Sequence, residues 1–235
     1  MTIAAAGDGA RTRWAQPPPI PYITARAGED CAPASALAVL PGRVGLSYRA
    51  ETPEDRDERG VLWARCSQNL DLFGRPSGRP RFRDVHPIRQ RAAMRDLRCQ
   101  FCMRPASRTA LGWLFLETRP LPGEVGAGWP EGALTAQPPL CLEDARLSVR
   151  TCPHLIRRGA VSVRAQHPVP YGVLGVLYRD GPGGLTALTH HDYVAPYDRP
   201  PTRWCLASQM LRELWGCTVV DLETEAEGAT EVAGA

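Results

Sequence analysis

Apolar residues in this chain come in short runs broken by Gly and Pro rather than in long spans. Residues 1 to about 20, ending in Gln16-Pro17-Pro18-Pro19, read as a flexible arm. Strands are predicted over Tyr22 to Ala25, Ala36 to Leu40 and Val44 to Tyr48, the last two joined by a Pro41-Gly42 turn. An acidic loop at 51–59 precedes a strand from Gly60 to Ala64, and Phe73 to Pro80 is a turn-rich connection. A helix opens at His86-Pro87, because Pro is tolerated at the first helical position, and runs to about Arg98. Ala93, Met94 and Leu97 form its apolar stripe, and Arg91, Arg95 and Arg98 fall on another face.

Further on, Gly112 to Thr118 is predicted as a strand, Pro120 to Gly132 as a long loop, and Ala133 to Gln137 as the strand's partner. Pro138-Pro139 then introduce a second helix, from about Cys141 to Thr151, which Pro153 closes. Val161 to Arg164 and Val173 to Tyr178 read as strands, and Gly181 to Gly184 turns into Leu185 to Leu188. Leu206, Met210, Leu211 and Leu214 fit the buried stripe of a last helix over Thr202 to Leu214, capped by Gly216 and followed by a strand at Thr218 to Leu222. The expected fold is α+β, with mixed strands, about three helices and an embedded zinc module. Its parts are an arm (1–20), a β-rich part (21–83), a zinc-binding module (84–158), a C-terminal α+β part (159–222) and a disordered acidic tail (223–235), with 21–222 able to pack as one domain.

Composition changes this picture in two ways. No apolar run approaches the roughly 20 residues that span a bilayer, and the N-terminus lacks an export signal: Arg11 and Arg13 follow the Ala4–Ala6 run instead of preceding it. A cytoplasmic protein is expected, and in that compartment closely spaced cysteines bind metal more often than they form disulfides. All 28 basic residues are Arg, a bias typical of a GC-rich genome that discounts arguments from Arg alone. The net charge is only +3, yet ten Arg between Arg75 and Arg108 face just Asp84 and Asp96, a local +8 that leaves about −5 for the rest. Such polarity suits an anionic partner for one surface.

The candidate chemistry begins at Cys99-Gln100-Phe101-Cys102. Two thiols at this spacing can grip one metal from a tight turn, and zinc favours four Cys, His or carboxylate ligands in a tetrahedron. A redox CxxC sits after a strand and opens a helix, whereas here a helix ends at Cys99. Cys141 falls at the start of the second predicted helix. Knuckle, hairpin, then a ligand on the first helical turn: this order resembles the treble-clef zinc fold. That fold usually places CxxC at the helix start, and here the position matching its last Cys is Asp144. Cys152 and His154 compete as fourth ligand, although a continuous helix would carry Cys152 about 16 Å from Cys141. An open fourth position would admit a catalytic zinc. Cys31, Cys66, Cys205 and Cys217 are expected to be free, packed as small hydrophobes.

The segments Arg98 to Cys102, Ala106-Ser107-Arg108-Thr109, Thr135 to Cys141 and Cys152-Pro153-His154-Leu155 also resemble uncharacterised actinobacterial proteins. That resemblance implies a zinc site and an actinobacterial origin, and no activity.

Arg89, Arg91, Arg95, Arg98, Arg104 and Arg108 cluster around the knuckle, where they could dock on phosphates or form a solvated face. His190-His191-Asp192 reads as polar surface, since neighbouring strand residues point apart. The absence of His between Met103 and Leu140 argues against an HNH-type nuclease. The leading expectation is a non-catalytic zinc protein whose basic surface binds DNA, RNA or an acidic protein, with no membrane association. A zinc-dependent hydrolase or nuclease, and a structural or assembly subunit, are the alternatives.

Overall fold

The computed structural model describes residues 19–225, so the expected arm and most of the acidic tail lie outside the described residues. The elements in chain order are β1 (Thr24–Arg26), β2 (Leu37–Val39), β3 (Leu46–Tyr48), β4 (Leu62–Trp63), β5 (Pro80–Val85), α1 (Pro87–Arg95), β6 (Arg108–Thr109), β7 (Gly112–Thr118) and β8 (Ala133–Thr135). Then follow α2 (Leu142–Thr151), α3 (Pro153–Arg158), β9 (Ala160–Gly181), β10 (Gly184–Ala187), β11 (Tyr193–Pro196) and β12 (Cys205–Val220). Three α-helices amid a majority of strands make the fold α+β. No helix among the described residues is long and apolar enough to cross a membrane.

An eight-stranded sheet organises the molecule, in the order β4-β12-β9-β7-β6, with β10 and β11 also on β9 and β8 also on β12. β9 and β12 form its spine, antiparallel from Cys205 opposite Leu177 to Val220 opposite Ser162. The predicted helix over Thr202 to Leu214 is therefore overturned: a short 3-10 turn at Pro200–Trp204 leads into β12. The helical spacing of its apolar residues comes from two bulges. Ser208 is an extra residue on β12 and Tyr171 an extra residue on β9, so the buried face shifts phase between them and the period-2 alternation is lost. Pairing along β9 then decides the backbone, as tertiary context overrides a weak propensity.

A second correction concerns β8. It pairs with β12 (Thr135 opposite Arg212) and not with β7, whose hairpin partner is the two-residue β6. β7 also pairs with β9 from Trp113–Ala165 to Thr118–Ala160, which builds the middle segment of the chain into the main sheet. Gly112 makes this join feasible. It has φ +101° and a Cβ there would lie 2.0 Å from the Ala165 carbonyl oxygen. Gly112→Ala is expected to destabilise the protein by at least about 2 kcal/mol, since both the backbone angle and the strand contact fail; denaturant unfolding would show a lower midpoint.

Helix α1 starts as expected, with His86 as N-cap and Pro87 in the first turn. The His86 ring is buried and its Nε2 lies 3.0 Å from the Ser67 carbonyl, so the ring fills the core and makes no capping hydrogen bond, while the His86 carbonyl accepts the first helical bond from Gln90. The far end of α1 is tied by Arg212, whose guanidinium donates to the carbonyls of Met94, Arg95 and Pro168, placing a cation on the negative end of the helix. Met94 packs under the helix with Trp63, Val173 and Met210.

Cys31 and Cys66 oppose each other across a β-bridge and are joined as a disulfide, which corrects the expectation that both are free. Cys205 and Cys217 are free, as expected. The start of the tail is also ordered further than expected. Arg146 donates to the carbonyls of Leu222 and Glu225, and the Glu225 carboxylate pairs with the fully buried Arg164.

Candidate metal centre

Two local structures, one following α1 and one opening α2, form the centre. After α1 the chain passes through Leu97 (φ +48°), and the Cys99 N–H donates to the Arg104 carbonyl at 2.8 Å. The Met103 N–H returns to the Cys99 carbonyl at 2.9 Å, with Met103 itself left-handed at φ +59°. These bonds close a tight knuckle in which both thiols point the same way, and the Phe101 N–H faces the Cys99 sulfur at 3.4 Å. Two non-glycine residues with positive φ in so short a span mark a conformation enforced by its surroundings.

The second structure is the N-terminus of α2. Cys141 is its N-cap, with extended φ −73° and ψ 159°, and Asp144 lies three residues on in the first turn. Residues at that spacing share one helix face, so thiol and carboxylate are presented together. The knuckle is docked against the approach to this helix by Gln100 N–H to Pro139 O at 3.1 Å and Ser107 N–H to Leu140 O at 2.9 Å.

As a result one donor atom from each of Cys99, Cys102, Cys141 and Asp144 lies within 4.8 Å of all the others. Asp144 Oδ2 is 3.1 Å from the sulfurs of both Cys99 and Cys141, and the Cys102 and Cys141 sulfurs are 3.9 Å apart. A tetrahedral zinc with Zn–S bonds of about 2.3 Å has S···S edges of about 3.8 Å, so the sulfur spacing fits that ion; the carboxylate need open only by a few tenths of an ångström. Cys99 is fully buried among Leu114, Leu116, Leu140, Leu142 and Ala145.

Four acidic groups this close cannot all ionise without a cation among them. The contact with Cys141, together with burial, pushes the Cys99 thiol well above its ordinary range, while that same contact holds Cys141 below it. Burial and the Asp144 contact raise the Cys102 thiol. Arg104 supplies one compensating charge from outside: its Nε lies 3.4 Å from the Cys102 sulfur and its other end pairs with Glu143 at 2.9 Å.

The two competing ligands fall elsewhere. Cys152 ends α2 and opens α3, and neither it nor the exposed His154 joins the four-donor group. The arginines separate into two sets. Arg89 is corrected outright as a surface residue: it is 1% exposed and doubly bonded to Glu29. Arg91 is half-buried with its guanidinium over the Trp63 ring at 4.8 Å. Arg95, Arg98, Arg104 and Arg108 are exposed, Arg95 beside Asp96 and Arg108 over the Trp113 ring at 4.2 Å. His190 and His191 lie in an irregular stretch at the surface, and no other His, Cys, Asp and Glu grouping suited to a metal occurs among the described residues.

One residue escaped the sequence reading altogether. Glu117, in the apolar run Gly112-Trp-Leu-Phe-Leu-Glu-Thr118, has an Oε1 hidden from water with no hydrogen-bond partner. Its signal was present: a lone carboxylate inside an otherwise core-forming strand.

No family model matches the chain, and no curated protein or solved structure is similar to it. Functional inference therefore rests on the geometry of the site.

Proposed function

We propose that this chain is a non-catalytic zinc protein of the cytoplasm, whose metal centre fastens the Cys99–Cys102 knuckle to α2 and so fixes an arginine rim that docks on nucleic-acid phosphates. The carrying observation is the four-donor group: three thiols and one carboxylate, all supplied by the chain, lie within 4.8 Å of one another, the number of ligands a tetrahedral zinc takes. Soft thiolates favour zinc over magnesium or calcium, and a complete donor set leaves no position for a reacting water. The order of knuckle, β6–β7 hairpin and helix carrying two donors in its first turn supports a treble-clef-like module. Six unpaired thiols suit a reducing compartment, and the Cys31–Cys66 bridge is the one feature that pulls the other way.

The phosphate-docking reading draws on position. Arg98, Arg104 and Arg108 project from the knuckle and the strand after it, and Arg95 from the last turn of α1. Stacking on Trp113 pre-orders Arg108, and a guanidinium fork matches phosphate geometry. Asp96 and Glu143 offset two of the four charges, so the rim favours weak, salt-sensitive binding. The test is a salt titration of binding to single- and double-stranded oligonucleotides. With four contacts the logarithm of the binding constant should fall against log salt with a slope of about 3, and Arg98→Ala with Arg108→Ala should reduce that slope by about 2. Binding that is absent at low salt, or a slope untouched by the double substitution, would remove nucleic acid as partner. An acidic protein would then be the ligand to try on the same rim.

A further inference from the structure

Gln100 and Phe101, the two residues between the first pair of cysteines, have a second neighbour besides the metal centre. They form part of the wall of a cavity of about 640 Å³, a size that seats a small organic molecule. Phe101, Leu116, Leu140 and Leu155 give it an apolar surface, and Thr151 lines it from the end of α2. Its ionisable groups divide sharply. Arg83, Asp84, His154 and Arg157 are exposed at the edges, with opposite charges side by side in Arg83 and Asp84. Glu117 lines the cavity as well: its Oε1 is hidden from water without a partner, and its other carboxyl oxygen, not so hidden, is the one a ligand can meet.

A carboxyl group held in an apolar wall is costly unless something pairs with it. Burial pushes the Glu117 acid up to about 7, and the nearby Thr135 hydroxyl offsets only part of that rise. No arginine or histidine of the described residues satisfies Oε1. No described residue supplies that donor, so one carried by a ligand would fill the place, and in so apolar a setting a cationic donor gains most from a carboxylate.

We infer that this cavity binds a small molecule with an apolar or aromatic body and one basic nitrogen, the nitrogen pairing with Glu117 and the body lying against Phe101, Leu116 and Leu155. An ammonium group brings the charge that the site lacks, and the proton displaced from Glu117 passes to solvent. This site is separate from the arginine rim and does not depend on nucleic-acid binding.

Calorimetric titration of the full chain tests the inference with four amines (tryptamine, phenethylamine, 4-phenylbutylamine and benzylamine) and the neutral and acidic counterparts of the first, 3-ethylindole and indole-3-propionate. At least one amine should bind, and where tryptamine does, 3-ethylindole should bind at least 10-fold more weakly. Glu117→Gln should abolish the preference for the amine and leave the affinity of the neutral compound within about twofold. Thr151→Phe, which puts a ring into the cavity from α2 and leaves the carboxyl chemically unchanged, should weaken binding of every compound even if the Glu117 variant folds poorly. The inference fails if none of the amines binds, if the neutral or acidic counterpart binds as well as the amine, or if amine binding survives either substitution unchanged.

Discussion

Treatment with a strong chelator is expected to abolish the cooperative unfolding transition of this protein, and Cys99→Ser is expected to have the same effect without a chelator. The size of the effect follows from comparing two free energies. Structural zinc sites contribute about 10–16 kcal/mol of apparent binding energy at neutral pH, whereas an entire domain is stable by only about 5–15 kcal/mol. The centre is also embedded in the core. Cys99 is 0% exposed and packs with Leu114, Leu116, Leu140, Leu142 and Ala145, so without metal its thiol and the Asp144 carboxyl are left facing each other inside a hydrophobic cluster. What remains to hold the knuckle is a handful of backbone hydrogen bonds, each worth about 1 kcal/mol net.

The same comparison ranks the substitutions. Elemental analysis should find one zinc per chain, and none in Cys99→Ser or Cys102→Ser. Asp144→Ala should retain some metal at reduced affinity, because three thiolates remain. Asp144→Cys should bind at least as tightly as the wild type, since it restores at the α2 N-terminus the paired-thiol spacing that the sequence lacks. Added cobalt would report the donor set through its thiolate charge-transfer absorption, scaling with the number of sulfurs. A metal-free chain that melts at an unchanged temperature would refute a fastening role for the centre, and so would zinc bound equally by wild type and Cys99→Ser.

How much of this was legible beforehand depends on the range of the interactions involved. Helices α1 and α2 were readable because their starts are local: Pro87 in the first turn of one, and Cys141 as N-cap with Asp144 three residues later in the other. The four-donor group was readable for the same reason, as CxxC and the i,i+3 pair are each local and only their meeting is long-range. β12 was not readable, because its backbone is fixed by β9 some 40 residues away and its bulges imitate a helical period. The Cys31–Cys66 bridge spans 35 residues and left no local trace. Arg usage misled for a physical reason. A side chain charged at every pH can still be buried when its charge is paired or its N–H groups find acceptors, and Arg89, Arg164 and Arg212 are buried as ties to carboxylates and carbonyls, with Arg89 Nε alone left unpartnered. Charge density along the sequence counted Arg89 as surface.

Arg89→Met is expected to destabilise the protein by about 3–5 kcal/mol, the second-largest effect after metal loss, because it leaves the Glu29 carboxylate buried without a counter-ion. Both residues are 1% exposed, and the pair is bidentate at 2.6 and 2.8 Å, with a further bond from Arg89 to the Thr24 carbonyl at 2.9 Å. Burial by itself would raise the Glu29 carboxyl. Hydrogen bonds from Arg89 and from the backbone N–H groups of Arg26 and Asn69 outweigh it and hold the group down at about 2. A carboxyl near 4.5 when unfolded and near 2 when folded adds stability above pH 4.5, and that contribution is lost as pH falls from 4.5 toward 2. In Arg89→Met the buried carboxyl should instead titrate above its unfolded value. Its contribution then reverses, so acidification through this window relieves the variant while it weakens the wild type. Urea midpoints measured from pH 6 to pH 3 separate the two behaviours, and parallel curves for both proteins would refute the ion pair as the cause. The pair matters beyond stability because of what it braces. Arg89 sits on the helix that feeds the knuckle and bonds the strand that follows Tyr22 and Ile23, whose N–H groups donate to the carbonyls of Phe101 and Gln100. Loosening it should therefore lower zinc affinity as well, although neither residue comes near the metal.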